Sequence, residues 1–90
     1  MRLVMAYEGP ARDLPEGLDV LARAGAQMLV HGWRRAARAL GAPGRVWQDD
    51  GGEWYAEWAL PDGARVLAPV KGEDLDTVLE LWPGAEVLTA

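Results

Sequence analysis

Glu57 stands two residues from Tyr55 in the stretch QDDGGEWYAEW, residues 48–58. A carboxylate beside a phenol is the one acid–base combination that this sequence holds close together. On a half-covered sheet such a glutamate can be raised in pKa and act as a general base. Period-two alternation along GEWYAEWAL puts Glu53, Tyr55, Glu57 and Ala59 on one strand face. Arg65 and Leu67 follow beside them on the returning strand, where Glu57 is expected to pair with Arg65. Tyr55 and Leu67 are too apolar for a fully wetted face, so Tyr55, Glu57, Arg65 and Leu67 are the candidate binding residues. Three covers are open for them: a short C-terminal helix, a second subunit, or a ligand in a polar-rimmed cleft. The catalytic set is left empty, because sheet-face glutamates are ordinarily solvated or ion-paired.

The missing residue types narrow the chemistry further. The chain has no Cys, Ser, Asn, Ile or Phe, and one His and one Lys against eight Arg. Ser–His and Cys–His nucleophilic catalysis is therefore ruled out. A zinc or iron site built on several His or Cys ligands is ruled out as well, since His31 is alone. GAPGR and GPAR lack the Lys and Ser/Thr spacing of a phosphate-binding loop. Asp49, Asp50 and Glu53 crowd one turn, but their spacing fits no EF-hand, and Asp-Gly is favoured there for backbone reasons alone. No metal and no cofactor is expected.

A second cluster is cationic. Arg23, His31, Arg34, Arg35 and Arg38 gather on the outer side of a predicted helix, as a possible interaction face. The formal net charge of −5 argues against a nucleic-acid partner, which usually selects a basic domain. The plain reading of the patch is helix-dipole complementation: Asp13, Glu16 and Asp19 at the helix start, arginines near its end. An acidic protein partner, or an acidic part of a second subunit, also fits.

These side chains need elements to hold them. RLVMAY, residues 2–7, reads as a strand with both faces partly buried. Asp13 as N-cap, Pro15 and Glu16 then open a helix predicted to run from 14 to 40. Leu14, Leu18, Leu21, Met28, Leu29, Trp33, Ala36 and Leu40 make its apolar stripe, and Gly41 with Pro43 ends it. Unbroken, it would be roughly 40 Å long at ~1.5 Å per residue. A domain of this size is only about 25–30 Å across. Three outcomes are open: the helix breaks or kinks near Gly25, its overhang packs on a second subunit, or Gly25 and Gly32, seven apart on the buried face, let another element approach closely.

RVWQ comes next, and a two-residue type I′ turn at Asp50-Gly51 pairs Trp47 with Trp54. Leu60-Pro61-Asp62-Gly63-Ala64 fits a three-residue loop with Gly63 left-handed, which pairs Trp58 with Val66. Trp47, Trp54, Ala56, Trp58, Leu60, Val66 and Ala68 then share the face that beds the long helix. Gly72, Glu73 and Asp74 open a short helix with the stripe Leu75, Val78, Leu79 and Trp82, and AEVLT closes as a strand.

The ninety residues are expected to form a single α+β domain, residues 1–90. Its predicted order is β-α-β-β-β-α-β: a mostly antiparallel sheet of 4–5 strands, with one long helix on one face and a short second helix. The chain shows no membrane-length apolar run and no signal-peptide pattern, so a cytoplasmic location is expected. The function expected from this inventory is a small non-enzymatic protein-interaction module acting as a homodimer. The alternative is a small-molecule binder or simple acid–base enzyme with an aromatic-lined cleft over the sheet.

Overall fold

A computed structural model describes residues 5–7, 27–30, 32–60 and 63–89. The N-terminal half of the predicted long helix, its Asp13 cap, Arg23, His31, Pro61 and Asp62 lie outside these. Six strands and two helices are described, in an α+β arrangement. They are β1 (Met5–Tyr7), β2 (Gln27–Val30), α1 (Trp33–Leu40), β3 (Arg45–Gln48), β4 (Trp54–Ala59), β5 (Arg65–Val70), α2 (Gly72–Leu81) and β6 (Glu86–Leu88). No helix among the described residues is long and apolar enough to cross a membrane.

The strands form one sheet in the order β1-β2-β5-β4-β3-β6. β4 runs antiparallel to both β3 and β5, whereas β1/β2, β2/β5 and β3/β6 are parallel. The sheet is therefore mixed, not mostly antiparallel. The antiparallel meander expected for β3–β4–β5 is present, and parallel strands are added to both of its sides.

The origin of the parallel part is the end of the predicted long helix. Residues 27–30 are a strand between β1 and β5, and the helix in this region is confined to Trp33–Leu40. Met28, Leu29, Trp33 and Ala36 satisfy a helical stripe, but Met28 and Val30 also alternate with Leu29, and both are buried. Glycines bracket the run at 25 and 32, a spacing that suits a short buried strand. Gly32 adopts φ 108, a left-handed conformation that ends the extended chain and turns it into α1. Helical periodicity and strand alternation coincide over so short a run; burial between two parallel neighbours decides for the strand.

α1 stops where expected, with Gly41 at φ 82 and its N–H donated to the carbonyl of Ala37 at 2.8 Å. α2 opens with Glu73 and Asp74 in its first turn, where acids complement the helix dipole. Both helices lie on one face of the sheet. Trp33 and Ala36 of α1 and Val78 of α2 join Met28, Val30, Val46, Ala56, Trp58, Val66, Ala68 and Val70 in a single core. Trp58 supplies much of its bulk, and its indole Nε1 donates to the carbonyl of Gly41 at 2.9 Å. Strand β4 is thereby tied to the end of α1.

Candidate functional site

The second hairpin has the expected register: Trp58 opposes Val66, Leu60 N–H donates to Ala64 O at 2.9 Å, and Gly63 is left-handed at φ 87. The first hairpin does not. Trp47 opposes Tyr55, and Trp54 opposes Gln48. The loop is one residue longer than a type I′ turn allows. Gly52 N–H bonds Asp49 O at 3.1 Å, Asp49 N–H bonds Glu53 O at 2.9 Å, and Gly52 is left-handed at φ 87. This is a type I turn with a glycine bulge. Asp49 stabilises it through Oδ1, which accepts the N–H groups of Gly51 and Glu53, both at 2.9 Å. The acid cluster thus performs backbone work.

A shift of one residue moves a whole strand set to the other face. Val46 takes the core position expected for Trp47, and Trp47 joins the candidate face with Arg45. Its indole stacks on Tyr55, ring centroids 4.9 Å apart at 30°. Tyr55 Oη donates to Glu53 Oε2 at 2.8 Å. Partial burial, then that bond and the neighbouring charges of Glu53 and Asp49, push its pKa from 10.0 up to about 12. The phenol is a locked donor at neutral pH.

Glu57 pairs with Arg45, not with Arg65: its Oε2 lies 3.4 Å from the Arg45 Nε. Register explains the choice, since Arg45 and Leu67 flank Glu57 directly, whereas Arg65 opposes Ala59. Leu67 and Glu57 are only 4% and 3% exposed. The Glu57 Oε1 and the Trp47 Nε1 are buried and have no hydrogen-bond partner among the described residues. α2 does not provide the cover, because its buried residue, Val78, belongs to the core on the opposite face. Of the four residues expected here, Tyr55, Glu57 and Leu67 share adjoining positions on β4 and β5, and Arg65 stands one strand step away. Arg45 and Trp47 are the additions. Only the loop length hid them, and the second glycine of DDGG is the signal that places them.

The cationic cluster is reshaped by the short helix. Arg34, Arg35 and Arg38 are exposed on α1. Because α1 starts at Trp33, Arg34 and Arg35 lie in its first turn, where the dipole is positive. No acid is present in that turn, and Gly32 provides no side-chain cap. Dipole complementation therefore fails for these two; each is opposed by ~0.3–1 kcal/mol. Arg38 alone sits in the last turn. The Arg34 guanidinium lies 4.3 Å over the Trp33 ring and 3.6 Å from Asp74 Oδ1. Trp33 Nε1 donates to Asp74 Oδ2 at 3.4 Å.

These contacts wall a cleft of about 570 Å³ between the first turns of α1 and α2, with Arg34, Arg35, Arg38 and Lys71 on its lining. Beside it runs a groove of about 450 Å³ lined by Ala37, Leu81 and Trp82, which shares Trp33, Arg34 and Arg38 with the cleft. Among the described residues no group of three or more His, Asp or Glu is placed to hold a metal ion. In comparisons with known proteins, no family, curated protein or solved structure matches this chain.

Proposed function

We propose that the chain is a non-enzymatic interaction module that works as a homodimer, joined edge to edge through β6. The observation that carries this reading is the state of that strand. β6 is an outer strand of the sheet, all three of its residues are exposed, and two are large and apolar: Val87 at 47% and Leu88 at 39%. An uncovered strand edge offers unpaired backbone N–H and C=O groups to another strand. A second copy suits it, because an antiparallel pair about a two-fold axis is self-complementary. With the axis at Val87, each Glu86 faces a Leu88, and the two carboxylates do not meet.

The acid–base alternative loses its motivation. Glu57 is buried and ion-paired with Arg45, and a phenol held near pKa 12 gives no proton at neutral pH. Sedimentation equilibrium tests the dimer. The wild-type chain is expected to be dimeric at tens of micromolar, and Val87→Lys monomeric with an unchanged circular dichroism spectrum. A clean wild-type monomer at that concentration rejects the reading.

A further inference from the structure

We propose that the cleft between α1 and α2 binds a small amphipathic organic phosphate, with the phosphate between the arginines and Lys71 and the apolar body against Leu81 and Trp82. Four of the six cationic side chains among the described residues line this one cleft, in a chain of net charge −5. Two of them, Arg34 and Arg35, occupy the first turn of a helix, the end that repels them. A fold left to its own stability places acids there, as α2 does with Glu73 and Asp74. An anion seated among the arginines removes the conflict.

The acids lining the cleft do not cancel its charge. Asp74 is engaged by Arg34 and by the Trp33 indole, and Glu73 is the one other carboxylate. Arg35, Arg38 and Lys71 have no carboxylate within 4.0 Å among the described residues. The remaining balance of about +2 matches a phosphomonoester, which carries roughly −1.5 to −2 at pH 7. Neither helix has a side-chain cap, and the first turns of both line the cleft, so N–H groups there add donors, except that of Asp74, which donates to the Lys71 carbonyl at 2.8 Å. These donors assist the cations and would not suffice alone.

The ligand needs more than a phosphate. The cleft is far larger than inorganic phosphate and falls in the range of small-molecule sites. Its continuation is apolar: Leu81 is 56% exposed on the groove beside it, and Trp82 stands edge-on to Trp33 at 5.9 Å. A flat or aliphatic body attached to the phosphate covers that surface. Long polyanions fit less well, because the rest of the chain is acidic.

Calorimetric titration of the full chain at low salt tests this with three probes: 1-naphthyl phosphate, inorganic phosphate and 1-naphthol. Naphthyl phosphate is expected to bind about tenfold or more tighter than either fragment, and Arg35→Gln/Arg38→Gln to weaken it by about tenfold or more. The free double variant is expected to melt no lower than wild type, since the arginines do not hold the fold. No binding up to ten millimolar, equal binding by the double variant, or naphthol binding as tightly as naphthyl phosphate would each overturn the proposal. So would a single-stranded oligonucleotide that outcompetes naphthyl phosphate, which would mark a nucleic-acid surface instead. The outcome is independent of the dimer, because β6 contributes no residue to the cleft.

Discussion

Tyr55 offers a direct reading of the sheet face at the level of one proton. Its pKa in the folded chain, about 12, lies above the ordinary 10.0. The native state therefore holds the proton more tightly than the unfolded chain does. The stability that this contributes is complete below pH 10 and is lost as pH rises from there through 12. Ultraviolet titration is expected to show a phenol ionising near 12 that disappears in Tyr55→Phe. That variant is also expected to show a shallower stability loss between pH 10 and 12. A Tyr55 that ionises at 10 contradicts the Glu53 hydrogen bond. The neighbouring ion pair has its own signature. Arg45→Ala leaves the buried Glu57 carboxylate uncompensated, which is expected to cost about 2 kcal/mol or more in denaturant unfolding. Arg45→Ala/Glu57→Leu is expected to recover most of that, because it removes the buried charge as well. If the double variant is as unstable as the single, the cost lies in Arg45 packing and not in charge.

The elements show how one residue of loop changes a surface. Of the two glycines in the DDGG turn only Gly52 is left-handed, so Gly52→Ala is expected to destabilise by about 1–2 kcal/mol. Gly51→Ala, with a conventional backbone, is expected to be nearly silent in the same thermal melts. A two-residue I′ turn would reverse that order of sensitivity. Much of this level was legible from residue order alone. The Gly63 bulge, the Trp58–Val66 register, the end of α1 at Gly41 and the opening of α2 at Gly72 all follow from local turn and cap chemistry. What escaped was a choice between two turns that the same four residues allow, and it sent Trp47 to the wrong face. The short β2 escaped for a related reason. Over Gln27–Val30 a helical stripe and an alternating strand make the same demand on Met28, and only distant partners, β1 and β5, separate them. Of the candidate residues, Tyr55, Glu57 and Leu67 take adjoining positions, as the clean alternation of β4 and β5 requires. Arg45 was missed because pairing to Glu57 depends on the first hairpin's register. A longer helix that ends at residue 40 would hide the misfit of Arg34 and Arg35 with the dipole, since both would then lie far from its start.

At the scale of the whole molecule the sheet is two kinds of structure joined. β3, β4 and β5 are successive hairpin-linked strands, whereas β1/β2, β2/β5 and β3/β6 are parallel pairs between segments that are distant in sequence. The first kind closes short loops and the second long ones, so their entropic costs of formation differ. The mixed order of strands is thus also an order of events. The central meander, with Trp58 across from Val66, is expected to be formed in the folding transition state, and the parallel strands to dock after the barrier. In stopped-flow kinetics Trp58→Phe should mainly slow folding, and Met28→Ala on β2 should mainly speed unfolding. The reverse pattern would place β2 in the nucleus. Because β6 joins late and at an edge, it is also expected to open first: its amides should exchange with solvent well before those of β4. The strand that offers itself to a second copy is the one the chain holds least firmly, so pairing across β6 would slow the first step of unfolding as well as set the oligomeric state.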